Sequence, residues 1–176
     1  NGTARWTGNL GWKNVPIRAL VAEATGKSVS FAHDVRTGMV AEHRKGAAQG
    51  FQQSIFIPVG TGIAAAFVID GEIRASDGYA GEIGHVNVGA PRPCVCGKTG
   101  CLEAISSALA IANNYREKSG KELTSEEILI ASKTEDAIAK AVWDEATHYI
   151  GVAIEMLITT LSPEVIVFGG GVSKAG

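Results

Sequence analysis

The sequence predicts an α/β domain built on a mixed sheet. Two features lead to that class. Apolar runs of strand length at 54–59, 63–69 and 165–168 alternate with longer segments whose apolar residues repeat at helical spacing. Asp70-Gly71 stands between the second run and 72–74, and this dipeptide is a hairpin signal, so part of the sheet must be antiparallel.

The elements follow in order. Residues 1–14, with Trp6 and Trp12 among polar neighbours, read as loop or as the end of a segment whose partner is missing. Residues 15–24 read as an amphipathic helix. Pro16 suits its first turn, Ile17, Leu20, Val21 and Ala24 share a face, and Gly26 ends it. A short strand is expected at 28–32, then a helix over 35–45 closed by Gly46. Gly60-Thr61-Gly62 joins the strands 54–59 and 63–69, and 72–74 adds a third. Residues 75–101 are irregular, and a loop that long needs a function or a crosslink to hold it. A helix is expected over 102–118, and a short one from Thr124, where Thr124 and Glu127 match a capping box. A long helix over 135–161 carries Ile138, Val142, Ala146, Tyr149, Ala153, Leu157 and Leu161 near one face until Ser162-Pro163 stops it. A buried strand at 165–168 then runs through Gly169-Gly170-Gly171 to a new helix start at Val172-Ser173.

Composition removes several classes. The 176 residues include 22 Gly but only five Pro, and the glycines cluster in short motifs, which excludes a collagen-like or disordered chain. A net charge of −2 argues against a nucleic-acid-binding surface. No apolar run reaches the ~20 residues of a membrane-spanning helix, and no signal peptide is visible. The chain begins at Asn1 and ends just after a motif, so it reads as an internal piece of a longer protein.

All three cysteines fall in Cys94-Val-Cys96-Gly-Lys-Thr-Gly-Cys101, and His85 precedes them in Gly81-Glu82-Ile83-Gly84-His85. Three thiolates and one imidazole make a tetrahedral zinc set. Four protein ligands leave no open position, so the zinc is expected to be structural, tying the loop to the helix after it. Reduced cysteines that bind metal point to the cytoplasm.

Other residues carry weaker signals. The backbone N–H groups of Gly60-Thr61-Gly62 could hold phosphate oxygens, although an ordinary hairpin has the same sequence. Gly169-Gly170-Gly171, after a strand and before a helix, suits either a tight turn or the close approach of a nucleotide. Asp34 opens a helix, where it can be an N-cap, a general base, or both. Glu103, at another helix start, can be a dipole-favoured surface acid. Glu82 lies among glycines, where a purely structural role is hard to name. His43 and His148 read as ordinary helix side chains.

Taken together, Gly81-Glu82-Ile83-Gly84-His85 and Cys94-Val95-Cys96-Gly97-Lys98-Thr99-Gly100-Cys101-Leu102-Glu103 resemble the signature of the ROK family (repressors, open reading frames and kinases). The order of the other motifs agrees along the whole chain. Asn9-Leu10-Gly11-Trp12 resembles the family's segment before its first domain-crossing helix, Asp34 falls at its catalytic aspartate, Gly60-Thr61-Gly62-Ile63 resembles its second phosphate motif, and Phe168-Gly169-Gly170-Gly171-Val172-Ser173 its adenosine motif.

The resemblance implies a ribonuclease-H-like, actin-like ATPase fold, with residues 1–176 forming one α/β domain, mainly the C-terminal domain of a two-domain sugar kinase. It implies phosphorylation of a hexose or N-acetylhexosamine at its 6-hydroxyl, with Mg²⁺-ATP as co-substrate and a homodimeric state. Asp34 would take the hydroxyl proton. His33, Asp34, Glu82, His85 and Glu103 would bind the sugar, Gly60, Thr61 and Gly62 the phosphates, and Gly170 and Gly171 the adenosine. His85, Cys94, Cys96 and Cys101 would bind the zinc. Three departures stand out. His33 replaces the family's usual sugar-contacting Asn, Ala64-Ala65-Ala66 follows the phosphate motif where glycines are usual, and the Asp-x-Gly-Gly-Thr motif is absent, so this piece alone is expected to be a poor kinase. The alternative is a sugar-sensing repressor of the same family, whose DNA-binding helices would lie upstream.

Overall fold

The structure is a computed structural model and describes residues 2–7, 10–76 and 78–175. Asn9 of the N-terminal motif lies outside them. The segment expected to be loop contains two short antiparallel strands, β1 (Ala4–Trp6) and β2 (Lys13–Val15), with Ala4 opposite Val15. Helix α1 (Ile17–Thr25) ends at Gly26 in the left-handed conformation, as expected. Its apolar face is exposed at Leu20 and Val21. Residues 28–33 form no strand, and the segment joins neither sheet. Helix α2 spans Asp34–Lys45.

Strands β3 (Ser54–Pro58), β4 (Ala66–Ile69) and β5 (Glu72–Arg74) form a meander, and β6 (Val165–Gly169) lies against the free side of β3, in the order β5-β4-β3-β6. The β3–β4 and β4–β5 pairs are antiparallel, while β3 and β6 run parallel from Ser54–Val165 to Pro58–Gly169. The sheet is therefore mixed. Asp70 and Gly71 sit at φ 55° and 75°, as a two-residue hairpin turn requires. β4 begins later than expected because the Ala65 N–H donates to the Gly81 carbonyl at 2.7 Å instead of to a strand. β6, expected to be buried, is half-buried with Phe168 exposed, since among the described residues only β3 flanks it.

Period-two alternation sends Ile55, Ile57, Phe67 and Ile166 to one face of the sheet, and Phe56, Ala66, Val68, Val165 and Val167 to the other. Met39 and Val35 of α2 cover the second face. Ile105 and the C-terminal half of α6 (Ala137–Leu161), through Tyr149, Ala153, Leu157 and Leu161, cover the first. At 25 residues, α6 is roughly 37 Å long. Its N-terminal half makes a separate core, with Ala139, Val142 and Ala146 against Ile111 and Tyr115 of α4 (Ala108–Ser119) and Ile128 of α5 (Ser125–Ser132). Of the expected α6 face, Ile138 is exposed and Ala139 is buried in its place.

The helix expected over 102–118 is two helices, α3 (Glu103–Ser106) and α4, because Ser107 is extended at φ −71°, ψ 157°. Serine hydroxyls compete with helical hydrogen bonding. Ser107 Oγ accepts from the Ala110 N–H at 3.1 Å to cap α4, and Ser106 Oγ donates to the Ala146 carbonyl of α6 at 2.8 Å. The break also lets the Ala108 N–H donate to the Gly60 carbonyl at 2.8 Å. The capping box of Thr124 and Glu127 is formed. Asp136 caps α6 by accepting from Ile138 and Ala139 N–H at 3.0 and 2.9 Å, and it also accepts from the Tyr115 hydroxyl at 2.7 Å.

One contact positions most of the site. Segment 81–84 lies directly on 63–65, so a β-carbon at Gly81 would meet the Ala65 carbonyl, and one at Gly84 the Ile63 carbonyl. Gly81 also sits at φ 100°, where L side chains are strained.

Two outcomes test this account. Gly84→Ala should destabilise the protein by about 1–3 kcal/mol, the usual cost of overpacking, read as a lower urea midpoint at unchanged slope. Hydrogen bonds from the Ala139 N–H, then the Tyr115 hydroxyl, hold the Asp136 carboxyl below its ordinary value of 3.8. A carboxyl depressed on folding stabilises fully above its unfolded value and loses that contribution as pH falls through the folded one. Thermal melts should therefore show Asp136→Ala well below wild type at neutral pH, with the gap closing as pH falls below 3.8.

Candidate functional site

The metal-type cluster is assembled from two pieces of backbone. His85 ends a single helical turn at Ile83–His85. Cys94 and Cys96 lie on a tight turn in which the Cys94 N–H donates to the Lys98 carbonyl at 2.7 Å and the Gly97 N–H to Cys94 at 2.9 Å. Bridges of Pro93 with Thr99 and of Asn87 with Cys101 close the loop. One ligand atom from each of His85, Cys94, Cys96 and Cys101 falls within 4.8 Å of the others. His85 turns Nδ1 to Cys94 Sγ at 3.6 Å, which leaves Nε2 for a second partner. The donor chemistry fits a soft divalent ion. Burial, then the thiols of Cys96 and Cys94, push the Cys101 thiol up to about 12, so a thiolate there calls for a bound cation. The Lys98 backbone amide holds Cys96 below its ordinary value.

A second group forms at the start of α2. The N-cap position is His33 and not Asp34, which is the first helical residue. Asp34 Oδ1 accepts from the Val35 N–H at 2.8 Å, and the side chain is 93% exposed. His33 Nδ1 stands 3.3 Å from Asp34 Oδ1, and its Nε2 stands 3.8 Å from Glu82 Oε1. Arg36, one half-turn further on, donates Nη2 to the carbonyls of Gly78 at 2.9 Å and Ala80 at 3.3 Å. That bond holds the segment bearing Glu82 against the helix bearing Asp34. Glu82 and His85 then face one open cleft of about 560 Å³, together with Tyr79, Cys96 and Lys98, a volume in the range of small-molecule sites.

The glycine turns and Glu103 form the third group. The Gly60 N–H donates to the Gly62 carbonyl at 3.0 Å, and Thr61 is exposed at the tip. Glu103 Oε2 accepts from the Ile63 N–H at 2.9 Å. Val59 joins the two turns: its N–H donates to the Gly169 carbonyl at 2.9 Å and its carbonyl accepts from the Val172 N–H at 3.2 Å. Gly170, at φ 84°, packs on the Val59 backbone where a β-carbon would collide. Both turns thus lie at the carboxyl ends of the parallel strands β3 and β6, where α/β sheets place their ligands. The methyls of Ala65 and Ala66 point into the two cores and away from the turn.

Sequence reasoning missed Arg36, Val59 and the break at Ser107. Adjacent serines within a helical run could have signalled the break. Nothing in the sequence marks Arg36 or Val59.

The sequence profile of the ROK family matches residues 1–176. The chain is 39% identical to a glucokinase of Halalkalibacterium halodurans, over 96% of this chain and 56% of that protein. It is 27% identical to a xylose repressor of Caldicellulosiruptor bescii, over 100% of this chain and 48% of that protein. The chain thus spans about half the length of these curated relatives. Among solved structures, a ROK family glucokinase from Streptomyces griseus, in complex with glucose and AMPPNP, superposes with a TM-score of 0.88 at 25% identity, over 99% of this chain and 62% of that one. The actin-like ATPase class implied by the motifs is the class of these structures. The chain belongs to the ROK family.

Proposed function

We propose that the full-length protein phosphorylates a hexose or N-acetylhexosamine at its 6-hydroxyl with Mg²⁺-ATP, and that residues 1–176 form mainly the C-terminal domain of that two-domain kinase. The observation that carries this reading is the arrangement of Asp34, His33 and Glu82 around one end of a segment whose other end, His85, enters a Cys3His cluster. A base at the attacking hydroxyl and carboxylates on ring hydroxyls are what phosphoryl transfer to a sugar requires of the acceptor side.

In this reading Asp34 takes the hydroxyl proton through Oδ2, since Oδ1 is committed to the Val35 N–H. Glu82, His85 and Glu103, with His33 beside them, bind the sugar. Glu103 aligns because one carboxylate oxygen is anchored on Ile63. Gly60, Thr61 and Gly62 bind phosphate, and Gly170 and Gly171 flank the adenosine. His85, Cys94, Cys96 and Cys101 hold a structural zinc, which would fix His85 and the start of α3 without entering the reaction. A cytoplasmic homodimer fits this chemistry. Among the described residues, no helix is long and apolar enough to cross a membrane.

A second reading is a sugar-responsive repressor, favoured by the match of the whole chain to the xylose repressor. Retention of both Asp34 and Gly60-Thr61-Gly62 in the sequence supports the kinase, because a sensor needs neither for binding. The sequence upstream of Asn1 separates them, as an Asp-x-Gly-Gly-Thr segment marks the kinase and a helix-turn-helix the repressor.

In a coupled ADP-release assay of the full-length protein across glucose, mannose, N-acetylglucosamine and N-acetylmannosamine, Asp34→Asn should lower kcat by about 10²–10⁴-fold, the contribution of a general base, while sugar binding by calorimetry persists. Normal turnover in that variant would remove the assigned role. Cys96→Ser should lower bound zinc, thermal midpoint and sugar affinity together, and unchanged zinc content by elemental analysis would refute the cluster.

A further inference from the structure

The metal-type loop is held unevenly. Two of its four donors belong to the body of the fold: Cys101 is fully buried and leads into the core residue Leu102, and His85 follows the core residue Ile83. The other two, Cys94 and Cys96, stand on a projecting turn whose Val95 is 84% exposed. That turn joins the body at its base, where the Arg92 carbonyl accepts from the Gly100 N–H at 2.9 Å and Pro93 is bridged to Thr99. Arg92 stands between Pro91 and Pro93. A proline fixes its own φ and drives the residue before it toward extended backbone, so the base of the turn is stiff. The orientation of the turn then depends on where the Arg92 side chain is fastened.

That side chain is fastened to the other core. Arg92 Nη1 donates to Glu117 Oε2 at 2.7 Å, and the Arg92 side chain is 22% exposed. Glu117 lies in the last turn of α4, which packs through Ile111 and Tyr115 on α5 and the N-terminal half of α6. A carboxylate near a helix C-terminus opposes the helix dipole, so α4 itself gains nothing from Glu117 there. Its neighbours Arg116 and Lys118 carry the charge that the dipole favours, and they turn to Glu122 and Glu145. The partner of Glu117 is Arg92, whose hydrogen bond holds the Glu117 carboxyl below its ordinary value of 4.5.

We infer that the Arg92–Glu117 ion pair is the outer anchor of the metal loop, which positions Cys94 and Cys96 beside His85 and Cys101 and slows the loss of the ion. This rests on the reading of the Cys3His cluster as a structural zinc site. Arg92 and Glu117 are positioning residues, since neither is a ligand. A four-coordinate ion leaves when its ligands move apart. The projecting turn has the fewest ties to the body, so its anchor governs the release rate.

The full-length protein, stoichiometrically loaded with zinc, would be mixed with excess chromogenic chelator. The rate of zinc transfer would be compared for wild type, R92Q, E117Q, the double variant R92Q/E117Q, R92K and K118Q. R92Q and E117Q should each release zinc about threefold faster, the scale of one partly exposed ion pair, and the double variant should be no faster than either. R92K keeps a cation within reach of Glu117 and should stay near the wild-type rate. K118Q removes the ion pair of Lys118 with Glu145 on the same helix and should leave the rate unchanged, which separates the anchor from a general loosening of α4. The differences should shrink in about 1 M salt, where screening weakens the pair. An unchanged rate in R92Q, effects that multiply in the double variant, or a K118Q rate matching that of R92Q would overturn the inference. A wild-type chain that takes up no zinc would instead count against the cluster reading. Hydrogen exchange then decides the anchor by itself: R92Q should speed exchange of the Cys94 and Gly100 amides, which are bonded across the turn, and unchanged exchange would remove the anchor.

Discussion

The site depends on a backbone contact that has no room for side chains. Gly81 and Gly84 rest on the carbonyls of Ala65 and Ile63, and the Ala65 N–H donates back to Gly81. The strip 63–65 leaves the Gly60-Thr61-Gly62 turn, and the strip 81–85 carries Glu82 and His85. Pressing them together places a phosphate-type turn, a carboxylate and a metal-type ligand within one layer. Glu103 adds the third side by accepting from Ile63. The spacing of Gly81-Glu82-Ile83-Gly84-His85 thus has a steric cause, since the two glycines are where two backbones meet.

The same principle orders the other glycine turn. Parallel pairing of β3 with β6 ends in an exchange in which Val59 donates to Gly169 and accepts from Val172. Gly170 has to lack a β-carbon because the Val59 backbone occupies that space. The two turns are adjacent for reasons of sheet geometry, before any ligand is considered. Residues of a site placed by such contacts are rigid, and rigid elements keep a site ready for its ligand.

Much of this was legible in the sequence, and the limits have physical causes. The mixed sheet followed from Asp70-Gly71, whose two positive φ angles realise the expected turn. The capping box and the Ser162 stop of α6 followed from local chemistry that operates within a few residues. The Cys3His cluster was visible because its ligands lie close in sequence, and the loop brings them within 4.8 Å. Long-range geometry was not visible. The break at Ser107 is fixed by Ala146 and Gly60, both about 40 residues or more away, and whether 28–32 pairs depends on a partner strand that its own residues do not specify. Arg36 and Val59 act through backbone carbonyls, which no side-chain pattern records.

Consecutive residues at 101–103 show how the Cys3His cluster can govern the Glu103 carboxylate without touching it. Cys101 is fully buried and turns its thiol to the cluster, Leu102 is sealed in the sheet core, and Glu103 reaches Ile63. The Leu102 N–H is bonded to the Val86 carbonyl at 3.1 Å and the Val88 N–H to the Gly100 carbonyl at 2.8 Å, so the chain on both sides of Cys101 is tied to the segment that follows His85. Disturbing the thiols would therefore act on Glu103 through two peptide units and a core side chain that resists moving. Leu102 limits how far the disturbance travels, because its displacement would open a cavity in a close-packed core. The cluster and the carboxylate are thus coupled mechanically, through packing and backbone hydrogen bonds, and the coupling needs no charge to pass between them.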